Sequence, residues 1–407
     1  MVTLKSTQFI WLLATAVSAA VLHSRSAPYY AGIQFAADRQ LSISVFSDLH
    51  FGEPESQRGR PYADLKTIGV MNSVLDNEQP DFVVLNGDLL SCEWVAPQDA
   101  NPLIDQIMAP LIARNLPFGA TFGNHDASKT CSTSAMSEHM WSDVKGNNGK
   151  KLSFTTQSVS GDVNQVGWSN YFVPVYSSTD SFDLKMLLWF FDSKGGMKYQ
   201  PTGDDVGVPN WVDEKVVEWF RKTNNALRQQ YGRAVPSIAF VHIPIHATDS
   251  FQHNGRSKTA NPGINEESVG NQGDTCDNTG NNCKYGGADV PFMKALVETE
   301  NLMAVFSGHD HGVDWCMKWA KDLPGNSPSN GNGLNICFNR HSGYGGYTDW
   351  VKSPMYELCI VVKEDMLDAK VVDTWIRMED GKISGQVSLN STFGTDQYPV
   401  VDRTKTS

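Results

Sequence analysis

Five short apolar runs in this chain each stop at residues able to hold a metal ion or move a proton. SVFSDLH ends in Asp48 and His50, VVLNGD in Asp88, and ATFGNHD in Asn124, His125 and Asp126; AFVHIP carries His242, and AVFSGHDH ends in His309 and His311. Carboxylate, imidazole and amide groups together offer mixed oxygen and nitrogen donors, which suit Mn, Fe or Zn better than the all-oxygen cages of Ca or Mg. Residues two apart in an extended segment project to the same side, so Asp48 with His50, and His309 with His311, can each grip one ion from one side. Any one motif is weak by itself: a single His after an apolar strand is more often a core residue, and a Gly-Asp pair usually marks a turn. The joint pattern is stronger, because five of the 10 histidines fall on these run ends. Gly87, Gly123 and Gly308 directly precede the ligand positions and permit a sharp exit from a strand.

The elements that must position these residues follow from periodicity. Strand patterns cover Leu41 to Phe46, Phe82 to Leu85, Phe118 to Phe122, Met186 to Phe191, Ser237 to Val241, Leu302 to Phe306 and Met355 to Val362. Helical spacing covers Tyr62 to Asp76, Pro102 to Asn115, Trp211 to Tyr231 and Val290 to Glu300, the third with Val212, Val216, Trp219, Phe220 and Leu227 on one stripe. Alternating strands and helices imply a layered α/β domain. In such a sheet, ligands bind beyond the carboxyl ends of the strands, where residues from Asp48 to His311 can converge. Segments 249–287 and 322–335, rich in Gly, Asn and Ser, read as long loops, and loops at 127–170, 249–287 and 322–350 are expected to set specificity.

In this order, DxH, GD, GNHD, a strand-ending His and GHDH resemble the metallophosphoesterases, the calcineurin-like phosphoesterase superfamily, over about residues 41 to 375. GHDHGVDWC followed by RHSGYGGY (Arg340 to Tyr347) is most similar to its fungal and plant purple-acid-phosphatase-like branch. The resemblance implies a central β-sandwich flanked by helices, with the metal site at the carboxyl ends of the strands. It implies that Asp48, His50, Asp88 and His311 hold one metal ion, that Asp88 bridges to a second held by Asn124, His242 and His309, and that His125 contacts phosphate and assists the leaving group. The chemistry agrees: two ions about 3.5–4 Å apart acidify a bridging water and stabilise an in-line displacement. The purple enzymes carry Gly where His50 stands and a metal-bound Tyr three residues after the bridging Asp; Ser91 occupies that place here, so a tyrosinate-coloured ferric centre is not expected. Around this core, His246 and Arg340 are candidates to bind substrate, the latter by bidentate pairing with phosphate, and Asp126 is a candidate to orient His125.

Composition bounds the remainder. The 407 residues are 40% hydrophobic and 19% charged, the balance of a globular protein able to bury a large core. A formal charge of −12 argues against an extended nucleic-acid groove, which needs a basic stripe. It leaves room for a compact phosphate ester drawn to one locally positive point. After Lys5, the run FIWLLATAVSAAVL (Phe9 to Leu22) resembles a secretory signal peptide cleaved near Ala19 or Ala20; it is too short to span a bilayer comfortably, and no other stretch is long enough. The expected organisation is therefore a signal peptide over 1–20 and one metallophosphoesterase domain over 36–400, in a secreted or vacuolar protein with no lasting membrane span. Seven cysteines leave at least one thiol free or paired between molecules. Candidate pairs are Cys276 with Cys283, Cys316 with Cys337, and Cys92 with Cys131, while Cys359 reads as a buried thiol. Asn390-Ser391-Thr392 is the single glycosylation sequon. The functional expectation is a phosphomonoester hydrolase using a dinuclear-metal-activated hydroxide; its rivals are a nucleotide or other phosphodiesterase of the same superfamily and a secreted metal-binding protein without turnover.

Overall fold

The computed structural model describes residues 31–54, 62–141, 144–275, 284–347 and 356–402. Fifteen strands are described: β1 (Ile33–Gln34), β2 (Gln40–Phe46), β3 (Phe82–Asn86), β4 (Phe118–Thr121), β5 (Tyr171–Tyr176), β6 (Leu184–Phe191), β7 (Ser237–Val241), β8 (Asp274–Thr275), β9 (Lys284–Tyr285), β10 (Leu302–Ser307), β11 (Cys316–Trp319), β12 (Leu334–Phe338), β13 (Tyr356–Lys363), β14 (Val372–Met378) and β15 (Ile383–Leu389). The helices are α1 (Ala63–Glu78), α2 (Ala100–Ala113), α3 (Thr133–Trp141), α4 (Val163–Val166), α5 (Glu214–Tyr231), α6 (His246–Asn254) and α7 (Val290–Glu298). One sheet runs β1-β5-β6-β7-β10-β12-β11 and a second runs β15-β14-β13-β2-β3-β4. The ligand-bearing strands β2, β3 and β4 pair in parallel in one sheet, and β7 and β10 pair in parallel in the other. Their carboxyl ends therefore share a direction within each sheet.

Strand periodicity makes the layers. Along β6, Met186, Leu188 and Phe190 face a core shared with Ile43, Val84, Phe240 and Ile360, which fills the space between the sheets. Leu187, Trp189 and Phe191 face the other way, onto Val216 and Phe220 of α5 and Phe292 of α7. On the second sheet, Val83 and Leu85 pack outward against Val70, Val74, Ile104 and Ile107 of α1 and α2. The order is thus helix, sheet, sheet, helix, an α/β sandwich as the resemblance implied. Helix α5 begins at Asp213, whose carboxylate accepts from Lys215 N–H (3.0 Å), and ends at Gly232 in the left-handed region. These are ordinary start and stop devices.

The expected strands and helices occur with shifts of a few residues at their ends. Strands β5, β11, β12, β14 and β15 were not expected from periodicity, and the presumed loop 249–287 contains most of α6 and the short β8–β9 hairpin. Cys92–Cys131 and Cys316–Cys337 are disulfides, and Cys359 is a buried free thiol. The pair Cys276–Cys283 and the apolar leader over 1–20 lie outside the described residues. Among those that are described, no helix is long and apolar enough to cross a membrane. The described residues from Ala31 onward fall in one compact unit.

Candidate metal centre

Backbone pairing brings the ligand loops together before any side chain is considered. Past the end of β2 and β3 the chains stay paired: Asp48 N–H donates to Gly87 O (3.0 Å) and His50 N–H to Asp88 O (3.0 Å). Past β7 and β10, Gly308 N–H donates to His242 O (3.0 Å). The segment after β12 then ties the two sheets at this end, with Asn339 N–H bonded to Ser307 O (2.7 Å) and Ser342 N–H to Ser47 O (2.8 Å). Asp48, His50, Asp88 and His309 all have left-handed backbone, with φ of 55°, 51°, 50° and 76°. Such conformations cost energy in non-glycine residues and gather where function holds them. Gly123 is required by close approach, since a Cβ there would stand 2.2 Å from Asp88 Oδ1.

Two groups of donor atoms result. Asp48, His50 and His311 form one, and Asp88, His242 and His309 the other; within each group one donor atom per residue lies within 4.8 Å of the others. The groups adjoin: Asp88 Oδ2 is 3.0 Å from His242 Nε2 and 3.9 Å from His50 Nε2, so this carboxylate stands between them. Asp48 Oδ1 lies 3.5 Å from His311 Nε2 and 3.8 Å from His242 Nε2. Five of these six side chains are buried.

The hydrogen bonds behind the imidazoles set which nitrogen is bare. His242 Nδ1–H donates to Asn86 O (2.8 Å) and His311 Nδ1–H to Tyr347 O (2.7 Å). A carbonyl can only accept, so both rings turn an unprotonated Nε2 lone pair into the centre when neutral. Ser91 hydroxyl donates to Glu53 Oε1 (3.1 Å), and its oxygen therefore accepts from His50 Nδ1–H (2.9 Å). His50 Nε2 and His311 Nε2 then face each other 3.3 Å apart. The Asn124 amide oxygen is buried with no hydrogen-bond partner. Converging lone pairs and an orphaned amide oxygen are costly unless a cation collects them. The donor set fits a pair of metal ions.

Proton equilibria of the metal-free cluster point the same way. Burial raises both central carboxyls, but His242 and His311 hold Asp48 at about 2, and His242 with His125 holds Asp88 well below the usual carboxylate range. Burial also opposes a charge on His242, yet Asp88 and Asp48 lift it to about 10. Burial depresses His50, and together with the charge on His242 lowers His309 to about 4. A proton on His242 thus sits where a cation would bind, and metal uptake must displace it.

His125 stands beside the pair. Its backbone N–H donates to Asp88 Oδ1 (2.7 Å), its ring centroid is 5.0 Å from that of His50, and Nδ1–H donates to Glu93 Oε1 (2.8 Å). Burial disfavours its charged form, but Asp88 and Glu93 outweigh that and raise it to about 9.

Three peripheral expectations are corrected. Asp126 does not orient His125; it is fully buried and accepts from Leu90 N–H (2.9 Å) and Gly123 N–H (2.8 Å), clamping two ligand loops. Glu93 takes the orienting role, its Oε1 accepting from the ring's Nδ1–H at 2.8 Å. His246 is engaged in packing: its ring stacks on Tyr285 at 3.5 Å and Nδ1 meets Asn271 Oδ1 at 3.1 Å. Arg340 is fully buried with Nη1 3.6 Å from Asp314 Oδ2. Sequence reasoning missed Glu93, Tyr347, which stacks on His311 at 3.9 Å, and Gly195-Gly196, which pack under Asn124. Consecutive glycines directly after a strand-like run (FFDSKGG) were the one legible signal among these.

A family model described as calcineurin-like phosphoesterase matches residues 41–313. The chain is similar to "Probable inactive purple acid phosphatase 29" of Arabidopsis thaliana, 26% identical over 86% of each chain. It is also similar to "Phosphatase DCR2" of Saccharomyces cerevisiae, 28% identical over 70% of this chain and 46% of that one. A crystal structure of a dimetal phosphatase from Danio rerio aligns over 86% of this chain and 98% of its own, at 10% identity and a TM-score of 0.48. With the model spanning the segment that carries all seven candidate ligand positions and His125, this chain belongs to the calcineurin-like phosphoesterase family.

Proposed function

We propose that the protein hydrolyses phosphate monoesters at a dinuclear metal centre. The observation that carries this reading is the pair of adjoining donor groups, Asp48/His50/His311 and Asp88/His242/His309, with Asp88 between them. Asp48, His50 and His311 would hold one ion and His242, His309 and Asn124 the other, with Asp88 shared. A bound pair of divalent ions supplies Lewis acidity toward phosphoryl oxygens and acidifies water. Manganese, iron and zinc suit the donors. His125, raised to about 9 by Asp88 and Glu93, carries two ring protons near neutral pH: Nδ1–H stays on Glu93, and Nε2–H is the proton given to the departing alkoxide oxygen, leaving a neutral ring. Only two ligand carboxylates oppose two divalent charges, so the loaded centre is locally positive inside an acidic protein. That favours a small phosphate ester over an extended nucleic acid.

A secretory route belongs to this reading, ending outside the cell or in a vacuole. The two disulfides support it, because such bonds persist in oxidising compartments. So does the sequon at Asn390, directly after β15 with Ser391 and Thr392 exposed.

The rival, a metal-binding protein without turnover, takes support from the printed name of the Arabidopsis relative. Purified protein reconstituted with Mn, Fe or Zn and assayed on an aryl monoester, an aryl diester and a nucleotide separates the readings. Monoester hydrolysis abolished by Asp88→Asn and by His242→Ala is the expected result. Activity unchanged in both variants overturns the assignment, diester preference favours a phosphodiesterase, and two bound ions without hydrolysis favour the inactive reading.

A further inference from the structure

A cleft of about 490 Å³ opens directly beside Asn124 and His309, both in its wall. Its walls also include Val208, Pro209, Trp211 and Asp274, and none of the described residues lining it is Lys or Arg. Lys284 stands opposite Thr275 across the β8–β9 hairpin and is not in the wall.

This wall is built rather than draped. Gly195 N–H donates to Pro209 O (3.1 Å) and Val208 N–H to Gly196 O (2.9 Å). A Cβ on Gly195 would lie 2.7 Å from Asn124 Cβ, so the same turn that carries the wall also supports the metal-site amide. Lys194 Nζ donates to Trp211 O, and Val212 N–H donates to Gln272 Oε1 (3.0 Å). Gln272 in turn donates from Nε2 to Ile243 O (2.8 Å), one residue past His242. Asn210 Nδ2 donates to Asp274 O (3.2 Å). Trp211 is therefore held at a set position relative to two metal-site residues, the kind of support that specificity requires.

We propose that this cleft is the leaving-group subsite and that Trp211 is its specificity-determining residue, selecting a phosphate monoester of an uncharged, ring-bearing alcohol. The inference rests on the hydrolase reading above and deepens it. Its grounds are continuity with the metal site, a size that admits a ring, the apolar surfaces of Val208, Pro209 and Trp211, and an acidic residue where a polyphosphorylated substrate would need a cation. A single phosphoryl group is held at the metal centre, and the rest of the molecule lies against the indole.

The test uses the full-length, metal-loaded protein and phosphonates that cannot be hydrolysed. Binding of orthophosphate, methylphosphonate and benzylphosphonate is measured by calorimetry for the wild type, Trp211→Ala and Trp211→Phe. Benzylphosphonate is expected to bind wild type more tightly than methylphosphonate by roughly two- to tenfold, the worth of one aromatic contact. Trp211→Ala should remove that preference and leave orthophosphate binding unchanged, and Trp211→Phe should keep most of it. Equal weakening of all three ligands in Trp211→Ala overturns the inference, as does a wild type without preference, which needs no variant to fold. If protein holding two ions binds no orthophosphate at all, the hydrolase reading falls and takes this inference with it.

Discussion

Replacing Ser91 by alanine should unseat one of the two metal ions and leave the other. Ser91 is fully buried, and its hydroxyl has a single hydrogen, which goes to Glu53 Oε1 at 3.1 Å. Its oxygen must then accept the Nδ1–H of His50 at 2.9 Å, which fixes the tautomer that bares Nε2 toward His311. In Ser91→Ala that buried N–H loses its acceptor, at a cost of about 1–3 kcal/mol. The ring can avoid the cost only by moving its proton to Nε2, and that blocks ligation outright. Loss of a group that orients a ligand typically weakens metal binding by about 10–100-fold, the same range expressed as affinity. The effect should fall on the Asp48/His50/His311 group, because the imidazole that Ser91 bonds is that of His50. Chelator competition read by elemental analysis should show occupancy falling from two ions to about one as free metal is lowered, with the metal-free protein destabilised by no more than about 1–3 kcal/mol. Retention of both ions at wild-type affinity would refute the tautomer argument.

Three other outcomes are expected. Converting both Cys92 and Cys131 to serine opens a 39-residue separation and should lower stability by up to about 4 kcal/mol on a chain-entropy reckoning; because Cys92 N–H bonds His125 O and lies between Ser91 and Glu93, hydrolysis should fall as well, checked by chemical denaturation beside a rate assay. His246→Ala should leave metal content at wild type and lower stability by about 1–3 kcal/mol, since the ring stacks on Tyr285 and bonds Asn271 instead of reaching the metal centre; a loss of bound metal would contradict this placement. In metal-free protein, His242 is raised from 6.5 to about 10, so its stabilising contribution is complete below pH 6.5 and fades as pH climbs toward 10. Melting temperature in chelator should therefore drop across that window while the metal-loaded protein stays flat, and metal uptake at pH 7.5 should release protons in buffer-dependent calorimetry.

Most of the candidate metal centre was legible before folding because each candidate ligand closely follows a strand with a strong apolar pattern. β2, β3, β7 and β10 are nearly all buried, so their signal is a continuous apolar run ending at a polar residue. Strands β14 and β15 were illegible for the opposite reason. β15 is the edge strand of its sheet and β14 lies next to it; they read ISGQVSL and VDTWIRM, with half-exposed positions and polar residues interrupting the apolar ones, so neither forms a continuous apolar run. Helix α6 hid in a polar segment, HATDSFQHN, that is stabilised by burial of His246, Ala247 and Ser250 rather than by an amphipathic stripe.

By itself the sequence determined which residue types could ligate, the order of the strands that deliver them and the α/β class, since these depend on local periodicity and on the turn that follows each run. Only the tertiary structure decided what stands behind and beside those ligands. Glu93 reaches His125 across 32 positions, Ser91 reaches His50 across 41, and Tyr347 reaches His311 across 36. Arg340 and His246 went the other way, drawn into buried contacts with Asp314 and with Tyr285 and Asn271. A side chain's partner is set by which loops the two sheets bring face to face, and spacing along the chain carries no record of that.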